Sequence, residues 1–96
     1  MLMAKIGVTA VRMVLVEVLA GYSGSQDDVL CRPEERLLKT DLHKDYGLDA
    51  SDFAKMLISL NNLYNIEVDE NVLQKSTFFR EPTVENFIRM VNDYGL

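Results

Sequence analysis

The sequence predicts an all-α domain: three main helices packed as a small bundle, one or two short helices, and a long connection after the first. Two observations carry this. Apolar residues recur with a helical period in three separate segments, 11–19, 53–64 and 84–91. The composition, 48% hydrophobic and 26% charged over 96 residues without low-complexity runs, suits one modest core and leaves no room for a second, so residues 1–96 are read as one domain.

The first twenty residues, "MLMAKIGVTAVRMVLVEVLA", place a lysine before an apolar run as a signal peptide would, but Arg12 and Glu17 interrupt the run. No uncharged stretch reaches the ~18–20 residues of a membrane span, so the segment is expected to be part of the core. Val11, Val14, Leu15, Val18 and Leu19 fall at i, i+3, i+4, i+7 and i+8, the stripe of a core-covering helix, with Gly21 as its stop. A strand through the β-branched Val14, Val16 and Val18 is the alternative. Residues 21–32, "GYSGSQDDVLCR", have no sustained period and are predicted to be a surface loop.

Pro33 suits the first turn of a short helix, "PEERLLK", with Glu34 and Glu35 at its positive end, Lys39 at its negative end, and Leu37 and Leu38 as anchors. Residues 40–49 again look loop-like, with Leu42 as an apolar anchor and Gly47 free to take a positive φ. Next comes the clearest helix. Phe53, Met56, Leu57, Leu60, Leu63 and Tyr64 share one stripe, while Asp52, Lys55, Ser59 and Asn62 take the other side. Asp49 is its natural N-cap, a contribution of about 0.5–2 kcal/mol.

In "IEVDENVLQK", Ile66 and Val68 are expected to point inward, and Asp69 or Glu70 to open a short helix carrying Val72 and Leu73. "STFFREP" interrupts the order. Adjacent Phe78 and Phe79 cannot both face one side of a strand, so one is expected in the core and the other over a groove, where an exposed Phe could line an acyl or partner site. Thr83 caps a last helix with Val84, Phe87, Ile88 and Val91 on its inner stripe.

Ten Lys and Arg against fifteen Asp and Glu give a net charge of -5, a field that repels nucleic acid and favours basic protein surfaces. Cys31 is the single cysteine and is read as a free thiol of a reducing, cytoplasmic compartment. In "DLHKD", His43 lies between Asp41 and Asp45, but the group lacks the further ligand and helical spacing of a zinc site. There is no nucleophile elbow and no Gly-rich phosphate loop, so no enzyme activity is expected. The five methionines are placed mostly at core or terminal positions.

From Gly47 to Val68, "GLDASDFAKMLISLNNLYNIEV" resembles the centre of an acyl carrier protein: Gly, any residue, Asp, Ser, Leu, Asp, then the apolar stripe and an "F-x-I-x-I" exit. Gly47, Asp49, Asp52, Met56, Leu60, Tyr64, Ile66 and Val68 fall on matching positions without a gap. Val11, Val14, Leu15 and Leu19 resemble that family's first helix and "TVENFIRMV" its last, which leaves residues 21–39 and "STFFREP" as additions. The implied fold is the acyl-carrier-protein-like helical bundle.

The resemblance implies a serine carrying 4'-phosphopantetheine, the arm that holds acyl, polyketide or aminoacyl groups. Ala50 stands at the matching position and has no hydroxyl for the phosphodiester. Three readings stay open. Ser51 takes the arm one residue late; Ala50 is an engineered replacement; or the domain is naturally unmodified and uses the fold for binding alone. The apolar residues fall at +3, +6, +7 and +10 from Ala50 but at +2, +5, +6 and +9 from Ser51, and the family stripe includes +6, +7 and +10, so the register favours residue 50. Ser51 also replaces the family's Leu, an exposed contact for partner enzymes.

By the same resemblance the helix after Asp49 is the partner-recognition surface, with Asp49, Asp52, Lys55 and Ile58 as its contact residues. Lys55, Asn61 and Asn62 stand where acids are common, which weakens steering toward basic partners and points away from standard fatty-acid synthase enzymes. The expected partners are a phosphopantetheinyl transferase and acyl- or aminoacyl-transferring enzymes, and the expected state is a monomer. The alternative is a non-catalytic adaptor that keeps the fold for protein binding without a prosthetic group.

Overall fold

A computed structural model describes residues 6–21 and 25–94. The expectations for Met1 and Met3 lie outside the described residues, as does the 22–24 part of the first connection. The order is α1 (Val8–Val18), a 3-10 turn (Leu19–Gly21), α2 (Ser25–Cys31), α3 (Glu34–Leu38), α4 (Leu42–Tyr46), α5 (Ala50–Tyr64), α6 (Asn71–Lys75), α7 (Thr77–Arg80) and α8 (Val84–Tyr94). The three main helices are α1, α5 and α8, as expected, and among the described residues the β structure is one isolated antiparallel bridge, Asp41 to Thr83. Its Cα radius of gyration, 12.4 Å, matches the about 12.5 Å expected for a compact chain of this length.

α1 is a helix, and burial shows why the strand alternative fails. Val14 and Leu15 are adjacent and both fully buried with Val11, which a strand with alternating faces cannot arrange. Met13 lies on the far side and is 61% exposed, the exception to the expectation that the methionines are mostly core or terminal, whereas Met56 and Met90 are buried.

The connections hold more helix than the sequence predicts. Residues 25–31, expected as loop, form α2, whose one buried side chain is Val29. Its stability comes from outside: the Arg12 guanidinium donates to the carbonyls of Val29 (2.6 Å) and Arg32 (2.8 Å) at the helix end, and the Gln26 amide donates to Val16 O (2.7 Å). Residues 42–46, also expected as loop, form α4, because Asp41 accepts from the backbone N–H of His43 and Lys44 while Leu42 and Tyr46, one turn apart, are buried. Gly47 closes this helix at φ +70°, a left-handed conformation that glycine takes without a Cβ penalty. "STFFREP" contains the single turn α7, with Phe78 in the core and Phe79 47% exposed.

α5 buries Phe53, Met56, Leu57 and Leu60, but Leu63 and Tyr64, expected on the same stripe, are exposed at 56% and 43%. The last turn outruns the core before Asn65, at φ +53°, ends the helix. Asn61 then pairs its side-chain amide with both backbone groups of Val68, turning the chain back with Val68 buried and Ile66 half-buried. α8 begins as expected: Thr83 Oγ1 accepts from Asn86 N (3.2 Å), and Val84, Phe87 and Val91 are fully buried. No helix among the described residues is long and apolar enough to cross a membrane.

Candidate functional site at the start of α5

Residues 47–53 form a tight sequence of roles. Gly47 ends α4, Leu48 drops fully into the core, and Asp49 takes an extended conformation as the N-cap of α5. Asp49 Oδ1 accepts from Asp52 N (3.2 Å), and Asp52 Oδ2 accepts in return from Asp49 N (3.2 Å). This reciprocal capping box satisfies two backbone donors that the first turn would otherwise leave open. It also explains why Asp52 is 8% exposed instead of on the solvent side where the sequence placed it: its carboxylate is turned back onto the cap.

Ala50 and Ser51, the first two residues of α5, are exposed, and both line a cleft of about 310 Å³ between α5, α6 and α7. Phe53, Ala54, Leu73 and Phe79 supply its apolar side. Phe78 fixes Phe79 in place there, because its ring is anchored edge-on between Phe53 (4.8 Å between centroids) and Phe87 (5.1 Å). One Phe in the core and its neighbour over a groove is the division the sequence predicts.

Further along α5, Lys55 and Ile58 are exposed, Ile58 at 47%. They border a second groove of about 370 Å³ completed by Glu17, Val18 and Ser59, with Ser59 Oγ donating to Glu17 Oε1 (3.2 Å). Thus Ala50, Ser51 and Phe79 are brought together, while Lys55 and Ile58 form a separate patch farther along the helix.

Two supporting features escape the sequence reading. His43 Nδ1 lies 2.8 Å from the carbonyl oxygen of Leu48, tying α4 to the turn before Asp49. Among the described residues no group of three or more His, Cys, Asp and Glu is placed to hold a metal ion. On the opposite side of α4, Arg32 donates to Asp28 (2.9 Å), Asp45 (2.9 Å) and Thr40 Oγ1 (2.8 Å) and stacks 5.1 Å from the centre of the Tyr46 ring, whose hydroxyl donates to Asp28 (2.7 Å). The Tyr46 hydroxyl is pushed well above its usual range, first by burial and then by its bond to Asp28. Asp28 is held below the usual carboxylate range, chiefly by that bond and, against a burial penalty, by the Arg32 charge. The sequence signal for this network was only a charged loop.

The family model for the phosphopantetheine attachment site matches residues 27–91, about two thirds of the chain. The chain belongs to the phosphopantetheine-attachment family. The match runs from α2 into α8 and takes in most of the two stretches read as additions, residues 21–39 and "STFFREP". No curated protein and no solved structure matches the chain significantly.

Phosphopantetheine carriers as a class hold a 4'-phosphopantetheine group and work with partner enzymes, and are generally not catalytic themselves. Ala50 carries only a methyl group and offers no oxygen for a phosphodiester. The nearest hydroxyl at the junction is that of Ser51, one residue into the helix.

Proposed function

We propose that residues 1–96 act as one non-catalytic carrier domain, an acyl-carrier-like protein whose attachment position is residue 50 and whose cargo class is acyl, polyketide or aminoacyl. The observation that supports this reading is the place of residue 50: first after the Asp49 cap, exposed, and at the mouth of the cleft between α5, α6 and α7. With Ala50 the chain is not modified there, and the arm belongs to a serine-bearing form. Ser51 is the lesser attachment position, because its apolar register is displaced by one residue. A phosphopantetheinyl transferase and acyl- or aminoacyl-transferring enzymes are the proposed partners, meeting Asp49, Lys55 and Ile58, with Asp52 acting through the cap. The domain works as a cytoplasmic monomer without a nucleic-acid partner, in keeping with its charge of -5.

Ala50 itself favours the second reading, an adaptor that binds proteins through α5 without a prosthetic group. Intact mass after incubation with coenzyme A and a broad-specificity phosphopantetheinyl transferase separates the two. Gain of the arm by the Ala50→Ser variant alone is the expected result. Modification of the unaltered chain would move the attachment to Ser51, and failure of both chains would leave the adaptor as the better account.

A further inference from the structure

We propose that His43 is a positioning residue for the attachment turn, resting on the reading of residue 50 as the attachment position. α4 is a firm base. Asp41 caps it through two backbone N–H groups, Leu42 and Tyr46 bury its inner face, and Arg32 holds Asp45 on its outer side. The turn after it is less constrained: Gly47 sits at φ +70°, and an alanine Cβ at this position would meet nothing within 4 Å. Gly47 itself is therefore not held by packing, and the buried Leu48 side chain anchors the exit without by itself orienting the backbone groups that lead into the cap.

Two contacts orient those groups. Leu48 N donates to Leu42 O (3.2 Å), and His43 Nδ1 meets Leu48 O at 2.8 Å, so both backbone groups of the residue before the cap are referred to the first turn of α4. A carbonyl oxygen can only accept. For the contact to be a hydrogen bond, Nδ1 must therefore carry the proton. Because Asp49 follows Leu48 directly and closes its capping box with Asp52, the carbonyl that His43 holds sets the peptide plane leading into Asp49 and Ala50. The His of the "DLHKD" motif thus serves a junction whose cap, Asp49, lies six residues further along the chain.

The first test uses the unaltered chain. In 15N NMR of the histidine ring, the neutral form of His43 should carry its proton on Nδ1, whereas free histidine prefers Nε2. A ring protonated on Nε2 overturns the proposal. In hydrogen exchange, His43→Ala should speed the hydrogen-bonded amides of Leu48, Asp49 and Asp52 several-fold while leaving those of α1 and α8 unchanged, and His43→Asn, which keeps a donor at the δ position, should restore them. Uniform speeding across the chain would mean a general structural role and would also overturn it. In the Ala50→Ser background, His43→Ala should lower transferase kcat/KM several-fold at unchanged Tm, again rescued by His43→Asn. Equal rates with and without His43 sink the positioning role. If the Ala50→Ser chain accepts no arm at all, the carrier reading fails, and the ring tautomer and amide exchange still decide whether His43 holds the turn.

Discussion

Tyr46 shows how one side chain can serve both the core and a polar network. Its ring is 7% exposed, while its hydroxyl reaches Asp28 in α2 and its face receives Arg32. The raised hydroxyl favours the neutral phenol in the folded state, so its contribution is complete below the ordinary value of 10.0 and is lost as pH rises above it. Asp28 runs the other way: its lowered carboxyl contributes above the ordinary 3.8 and loses that contribution as pH falls below it. Tyr46→Phe removes the shared hydrogen bond. Thermal unfolding from about pH 3 to about pH 11 should then show a flatter alkaline limb and a weaker acid limb than the parent. An unchanged alkaline limb would mean that another group governs it.

At the scale of elements, what was legible in the sequence follows from where each helix finds its stability. α5 could be read because its cap, stripe and register are all local: Asp49, then Phe53, Met56, Leu57 and Leu60. α2 could not, because one buried valine makes no period and the helix is held by Arg12 and Gln26, donors that reach it from and toward α1. α4 lies between these cases. Leu42 as an anchor and the positive φ of Gly47 were legible, but the Asp41 cap was not read, and five residues between two loops give too short a pattern to separate from a turn. The candidate site was legible as far as the junction at residues 49–51; the cleft wall from α6 and α7 depended on which phenylalanine turned inward. Phe78→Ala should cost about 3–5 kcal/mol, since the ring fills space between Phe53 and Phe87. Phe79→Ala, at the cleft rim, should stay within about 0.5 kcal/mol. Urea unfolding of the two variants measures both, and comparable losses would contradict this division of labour.

Over the whole molecule the two ends of the described chain are joined by one side chain. Asn92 in α8 accepts from Ile6 N (2.9 Å) and donates to Ile6 O (3.1 Å), so it satisfies both backbone groups of a residue that is itself buried. The contact has particular weight because Gly7, the N-cap of α1, offers no side-chain cap of its own. α8 thus supplies from across the bundle a part of the anchoring that a polar cap would supply locally. Asn92→Ala leaves two polar groups of Ile6 without their partner, a loss of about 1–3 kcal/mol where water cannot replace it. Asn92→Asp keeps the acceptor and loses the donor, so it should fall between the parent and the alanine variant. In urea the midpoint should drop in that order with the slope unchanged, because α1 packs on both α5 and α8 and the bundle unfolds as one unit. A reduced slope with little change in midpoint would show instead that the segment before α1 detaches by itself and that the core of α1, α5 and α8 closes without the Asn92 link.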